Sequence, residues 1–357
     1  MFDRRTLFVL GAGASAEVEM PVGTELAETI RRKCDIRFER AFHPVGDGDF
    51  ELFDQLGQTH SREITEYQKA AWLIRDGIQL SSSIDDFLDL HRDNAGVNHL
   101  GKAMIVRSIL EAEQKSTLYF NRASDEQTIN FDKNAQTWFV KFMKILTRGQ
   151  SLKDVAKIFD SVSFIVFNYD RCLEHFLVHA LRGLYGIDER IAQQICGEVR
   201  IIHPYGSVGT LTAPGIRGVP FGASSMNCAA LASEIKTYTE QIIVTDELNA
   251  IHAELLSAQS IVFVGFAYHD QNMRLLTPNR ALDVIPVYGT AYRMSDNDTA
   301  VATRQIEKLF NQPLMPGADF VKIRNNLKGT DLLTISQNPL RAKLIQGADH
   351  GQESRVR

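Results

Sequence analysis

Residues 6–16, Thr-Leu-Phe-Val-Leu-Gly-Ala-Gly-Ala-Ser-Ala, constrain this chain more than any other stretch. Thr6–Leu10 is a short β-branched, aromatic and aliphatic run, the pattern of a strand buried on both faces. It breaks at Gly11-Ala12-Gly13, and a polar stretch then leads to a helical pattern over Gly23–Lys33. Glycine lets the backbone turn left-handed and lets another group approach with no Cβ between. Gly11-x-Gly13-x-x-Ala16 fits the dinucleotide fingerprint with its permitted final alanine, in which N–H groups at a helix start face a pyrophosphate. The same residues also fit a tight strand-to-helix turn that holds no ligand.

One check separates kinds of dinucleotide site. A dehydrogenase of the usual type ends its second strand in an acidic residue about 20 positions on, which holds the ribose 2′-OH. Here that place is Arg31-Arg32-Lys33-Cys34-Asp35, a charged helix end with no apolar strand leading to it. Hydride transfer is disfavoured at once.

Composition narrows the classes further. A chain of 357 residues, 44% hydrophobic and 23% charged, has the make-up of a globular protein with a substantial core. Its net charge of −5 gives no electrostatic reason to expect direct nucleic-acid binding. The longest apolar runs, such as Ser260–Ala267, are too short to span a bilayer, so no membrane association is expected. Met1-Phe2-Asp3-Arg4-Arg5 leads directly into a strand with no signal-peptide pattern, and a cytoplasmic location is expected. Cys34, Cys172, Cys196 and Cys228 form no C-x-x-C pair, which suggests reduced thiols rather than a disulfide framework or a cysteine zinc site.

Residues 24–160 read as helices and loops with little strand signal. Glu63–Leu80, Lys102–Glu113 and Gln136–Thr147 carry helical patterns, and Ser83-Ile84-Asp85-Asp86 reads as a capping box. Phe42–Asp49 and Asn121–Asn134 read as surface loops. Strand signals return at Ser163–Phe167, Val199–Ile202, Ser260–Val264 and Val284–Tyr288, with helical patterns at Leu173–Leu184 and Asp246–Ala258 between them. This alternation predicts an α/β protein: a Rossmann-like parallel sheet with a large helical insertion after the first strand. The predicted organisation is one domain over residues 1–337, including the insertion, and a flexible tail over 338–357.

Ligands of such sheets sit beyond the carboxyl ends of the strands, and the unusual residues cluster there. Asn168-x-Asp170 offers an amide and a carboxylate, or an Asx turn that starts the next helix. His203 follows an apolar strand and precedes Pro204-Tyr205-Gly206-Ser207, although a lone histidine is more often structural. Gly265-Phe266-Ala267-Tyr268-His269-Asp270-Gln271-Asn272 follows the most hydrophobic strand; Asp270 and Asn272 suit ribose hydroxyls, or the loop merely caps the next helix.

Taken in order, Gly-Ala-Gly-Ala-Ser, Asn-Tyr-Asp, a histidine before Gly-Ser, and Gly-Phe-Ala-Tyr-His-Asp-Gln-Asn resemble the SIR2 (sirtuin) superfamily. More narrowly they resemble the bacterial SIR2-like NADases of anti-phage defence, as do Ser83–Asp89 and Gly289-Thr290-Ala291. The resemblance runs from about residue 6 to 292. It implies NAD+ as substrate, with no metal expected, and NAD+ glycohydrolysis as the reaction. It implies that Gly11, Ala12, Gly13 and Ser15 cradle the phosphates and that Asn168 positions the nicotinamide ribose or a water. Asp170 and Tyr169 would support that pocket, with His203 as base or ribose-orienting group. Gly206 and Ser207 would complete it, and Gly265, Phe266 and Asn272 would hold the adenosine half. It further implies a homo-oligomer and, in one version of the family, a HerA-like ATPase partner.

Two departures stand out. Sirtuin deacylases carry a four-cysteine zinc module between the histidine and the adenosine-binding strand, whereas Gly206–Ser260 holds only Cys228, so no zinc module is expected. The family's His-Gly-Ser becomes His203-Pro-Tyr-Gly-Ser207, and a strict Gly-Ser alignment puts Tyr205 at the histidine position. His203 is the better base near neutral pH. The alternatives to hydrolysis are a non-catalytic NAD- or ADP-ribose-sensing subunit, and a zinc-free deacylase or ADP-ribosyltransferase.

Overall fold

The computed structural model describes residues 2–39, 43–59, 63–123, 128–243, 245–311 and 320–335, the side chains of 241–245 excepted. A six-stranded parallel sheet organises them. Its strands are β1 (Thr6–Leu10), β4 (Val162–Val166), β5 (Ile201–Ile202), β6 (Ser260–Val264), β7 (Val287–Thr290) and β8 (Val321–Arg324), in the order β5-β4-β1-β6-β7-β8. The fold is the predicted Rossmann-like α/β arrangement. β1 pairs with β4 on one side and β6 on the other, in matched parallel register from Thr6 to Leu10. The chain thus builds outward from β1 in both directions, and the switch point, where such sheets open a ligand crevice, lies at the end of β1.

β1, β4 and β6 are buried at every position, which is why they read as unbroken apolar runs. Phe8 stacks on Phe164 across β1 and β4, with ring centroids 5.4 Å apart, and meets Phe142 edge-on at 5.3 Å. Phe142 belongs to the helix Trp138–Leu146, whose aromatic stripe is core. Its first residue also fixes the turn after β1: Trp138 Nε1 donates to the Ala14 carbonyl at 2.9 Å, and Trp138 N–H to Glu17 Oε2 at 2.7 Å. In this way the inserted block grips the glycine turn.

Several boundaries differ from the sequence reading, each for a local reason. The block contains a small antiparallel ribbon, β2 (Arg37–Glu39) with β3 (His43–Val45), inside the stretch read as a loop from Phe42; Phe42 lies outside the described residues. Lys102–Glu113 is the middle of a helix, Ala95–Lys115, whose buried residues ring it on most sides and so leave little periodicity. Within the supposed surface loop 121–134, Asn134 is fully buried, its amide donating to the carbonyls of Thr117 and Asn130. Val199 is no strand residue, because its N–H still bonds Cys196 O at the end of the helix Glu189–Gly197. β7 runs through Gly289 and Thr290 rather than stopping at Tyr288. The hydroxyl of Tyr268 and the Cβ of Phe263 lie 2.6 and 3.1 Å from where a Cβ on Gly289 would sit, so glycine is the strand residue that fits. β8 and the helices Asp296–Glu307 and Gly329–Ile335 have no counterpart in that reading. The predicted tail, 338–357, lies outside the described residues. No helix among the described residues is long and apolar enough to cross a membrane.

Candidate active site

The glycine turn at the end of β1 packs backbone to backbone on the end of β6. Gly11 N–H donates to Val264 O at 3.1 Å and Gly13 N–H to Gly265 O at 3.0 Å. A Cβ on Gly11 would stand 2.6 Å from Gly265 O, and one on Gly13 2.8 Å from Gly265 Cα. Gly265 has φ +59, and a Cβ there would lie 2.0 Å from Ala14 N. Three glycines therefore let two strand ends touch. Their N–H groups at 11 and 13 are committed to that contact, and Ala12 N–H is the amide of the turn with no partner among the described residues. Thr290 Oγ1, at the end of β7, accepts from Gly265 N–H at 2.8 Å and ties the third strand end to the other two.

On the other side of β1 the first turn reaches the end of β4. Ser15 Oγ donates to Asp170 Oδ1 at 3.0 Å and accepts from Asn168 Nδ2 at 2.9 Å. A hydroxyl has one proton, and a carboxylate can only accept, so the direction of this relay fixes the orientation of the Asn168 amide. Asn168 Oδ1 makes no hydrogen bond among the described residues, leaving an acceptor at the strand end. Asp170 Oδ1 also takes Cys172 N–H at 3.1 Å, the Asx turn that starts the helix Cys172–Tyr185. Burial pushes the Asp170 carboxyl up, against the Cys172 and Ser15 hydrogen bonds that favour its charge. All three side chains are buried.

His203 follows β5 and docks on the same strand end. Its Nδ1 lies 3.0 Å from the Asn168 carbonyl and its Nε2 2.7 Å from Glu174 Oε1. Burial opposes charge on this ring, but the Glu174 carboxylate outweighs it and holds the histidine above its ordinary value. Glu174 is likewise held below the ordinary glutamate range: burial disfavours its charge, and His203 more than restores it. Both shifts describe one ion pair. Glu174 is the residue that sequence reasoning passed over. Its signal was its place on the first turn of the helix, four residues after Asp170.

The remaining candidates divide. Gly206 closes the turn from His203, donating N–H to His203 O at 3.0 Å with φ +74. Tyr205 donates its hydroxyl to Asn272 Oδ1 at 2.7 Å, joining the β5 and β6 loops; burial first, then Asp85, pushes its phenol up. Tyr169 is buried and donates its hydroxyl to Asp85, on the helix Ile84–Leu90, whose carboxyl burial raises to about 6. Ser83 caps that helix by accepting Asp86 N–H. Phe266 is core, its ring 5.0 Å from Phe167, and Asp270 accepts from Gln305 at the exposed face. A cavity of about 1010 Å³ opens beside His203, with Glu174, Ser207, His175 and His179 in its wall; Gly11–Ser15 and Asn168 do not line it. So Ser15, Asn168, Asp170 and His203 form one cluster, Gly11, Gly13 and Gly265 a second that abuts it through the turn, and Ser207 faces the cavity. Among the described residues no group of three or more His, Cys, Asp or Glu is placed to hold a metal ion.

No family model and no curated protein matches the chain. Twelve chains of solved structures are similar to it, two of which bear on the comparison. One is a SIR2 homolog in complex with NAD, 11% identical with a TM-score of 0.38, covering 95% of this chain and 90% of that one. The other is a Sir2 homologue mutant in complex with 2′-O-acetyl ADP ribose, 13% identical with a TM-score of 0.36, covering 96% of each chain. At that level of likeness neither assigns a role to a residue here.

Proposed function

We propose that this protein is an NAD+ glycohydrolase, cleaving the bond between ribose C1′ and nicotinamide. The observation that carries the reading is the relay Asn168–Ser15–Asp170, which joins an amide and a carboxylate in the turn after β4 to the glycine turn after β1, with His203 docked on the Asn168 carbonyl. The motif order described above supports it. Nicotinamide leaves as a neutral ring that takes the bonding pair, so no general acid is needed. The protein has to place a water and stabilise an oxocarbenium-like transition state. Asn168 Oδ1 is the free acceptor that orients the water beneath C1′. As the water oxygen bonds to C1′, one proton passes to His203. Ser15 and Asp170 hold the amide in place, and Ala12 N–H is the free donor for a phosphate oxygen.

Purified protein incubated with NAD+ should release nicotinamide and ADP-ribose, resolved by chromatography. Asn168→Ala and His203→Ala should each lower the rate by at least ~100-fold with the fold intact; wild-type rates in both would sink the assignment. By resemblance alone, the activity belongs to a regulated effector of anti-phage defence that depletes NAD+, assembled as a homo-oligomer, with a HerA-like ATPase as a partner.

A second reading, binding of NAD+ or ADP-ribose without turnover, is favoured by one observation: Glu174 occupies the His203 nitrogen that a base needs free. Calorimetric binding of NAD+ with no nicotinamide released, oligomer and partner included, would select it.

A further inference from the structure

The two ring nitrogens of His203 face different acceptors. The Asn168 carbonyl can only accept, so Nδ1 carries a proton and Nε2 is the sole site where the ring can take another. Glu174 Oε1 sits on that site at 2.7 Å, a distance that requires a proton between the two atoms. With that proton on the ring, the side favoured by the Glu174 carboxylate, His203 is an imidazolium and cannot act as a base. Glu174, half-buried, is held there through one oxygen only. Its second oxygen, Oε2, is buried with no hydrogen-bond partner among the described residues, an arrangement that disfavours this rotamer. The residue lines the cavity of about 1010 Å³, which gives the side chain a place to go.

We propose that Glu174 is a positioning residue for His203: its carboxylate occupies Nε2 and keeps a proton there, and its withdrawal into the cavity opens that nitrogen to the reaction. Opening moves one proton. When the Nε2 proton passes to solvent, two acceptors face each other at 2.7 Å and repel, and the carboxylate rotates away. Nε2 then takes one proton from the attacking water as that oxygen bonds to C1′, and the C1′–N pair leaves on nicotinamide. Several titratable groups face the pair: the Cys172 and Cys196 thiols stand near Glu174, and His175 and His179 share its cavity wall. Asp170, in the turn after β4, favours the imidazolium, and Arg171, in the same turn, favours the Glu174 carboxylate. Tyr205 is turned away to Asn272.

The inference rests on the hydrolytic reading, so its test reads the ring as well as the rate. The His203 imidazole is followed by carbon–proton NMR of the full chain, its signal assigned by loss in His203→Gln, and nicotinamide release is measured over the same pH range. Wild type should titrate above the ordinary histidine range, and its activity should rise with pH through that titration. Glu174→Gln should move both the ring titration and the acidic limb of kcat toward lower pH by ~1–2 units, with KM for NAD+ near wild type. Glu174→Asp should restore both toward wild type, a rescue that a merely structural role would not produce. An unmoved ring titration in Glu174→Gln, or no rescue by Glu174→Asp, overturns the proposal. So does a wild-type ring titrating at or below the ordinary range, a measurement that needs no Glu174 variant to fold. If the ring behaves as stated but no nicotinamide is released, the pair stands and the hydrolase reading falls.

Discussion

Gly13 and Gly265, 252 positions apart, meet as neighbours: Gly13 N–H donates to Gly265 O at 3.0 Å, and the Cα of each lies within 3 Å of where the other's Cβ would be. The contact closes the switch point of the sheet, and everything proposed for the site is built around it. Gly265→Ala meets both a left-handed φ of +59 and a Cβ 2.0 Å from Ala14 N, with only backbone to yield. It should cost ~3 kcal/mol or more in urea denaturation. Gly23→Ala, at the start of a helix with nothing within 4 Å of the new Cβ, should be neutral or slightly stabilising in the same assay.

Arg171 and Glu113 form a buried ion pair at 2.5 Å, and the guanidinium also donates to the carbonyls of Gly209, Val219 and Pro220. One arginine thus pins the loop that walls the cavity. Removing either partner strands the other charge in the core. Arg171→Met and Glu113→Gln should each lose ~3–5 kcal/mol by urea denaturation. The double variant should lose less than the sum, because the penalty is that of an unpaired charge.

Asp85 gives stability a pH signature with a definite sign. Burial raises its carboxyl to about 6 in the folded protein, against the Tyr169 hydroxyl that donates to it. Between that value and the ordinary aspartate range, the folded state binds more protons than the unfolded one. This group's contribution to stability therefore grows as pH falls through 6 and is lost as pH rises through it. Relative to Asp85→Asn, wild-type Tm should climb as pH is lowered from 7 to 5. Parallel Tm curves for the two proteins would contradict the assignment.

The central strands were legible because burial on both faces leaves an unbroken apolar run, as in Thr6–Leu10 and Ser260–Val264. β8 was not, because Val321-Lys322-Ile323-Arg324 lies at the sheet edge and only Ile323 is buried. The strand ends at Gly11, Asn168, His203 and Gly265 could be placed on one rim from pattern alone. What each does there depends on partners far away in the chain. Gly11 and Gly13 look like anion-binding amides in sequence, and only the path of β6 shows that both N–H groups meet carbonyls. Asp85 read as part of a helix cap, and its turn inward to Tyr169 is a tertiary contact across 84 positions. Glu174 had no motif to mark it.

For the proposed hydrolysis, the partners of His203 and Tyr205 argue which of them takes the proton, a choice that the spacing of His203-Pro-Tyr-Gly-Ser207 leaves open. Tyr205 donates its only proton to Asn272 Oδ1, and burial drives its phenol further from ionising, so it can offer no negative oxygen near neutral pH. Its ring packs edge-on against Phe167 at 5.8 Å and survives loss of the hydroxyl. Tyr205→Phe should therefore keep kcat for nicotinamide release within ~10-fold of wild type, while the freed Asn272 loop raises KM. His203→Ala should lose at least ~100-fold in kcat, the lower end of what general-base catalysis contributes. Steady-state rates from chromatographed nicotinamide decide it: a larger kcat loss in Tyr205→Phe than in His203→Ala would move the base to Tyr205 and release His203 to a structural role.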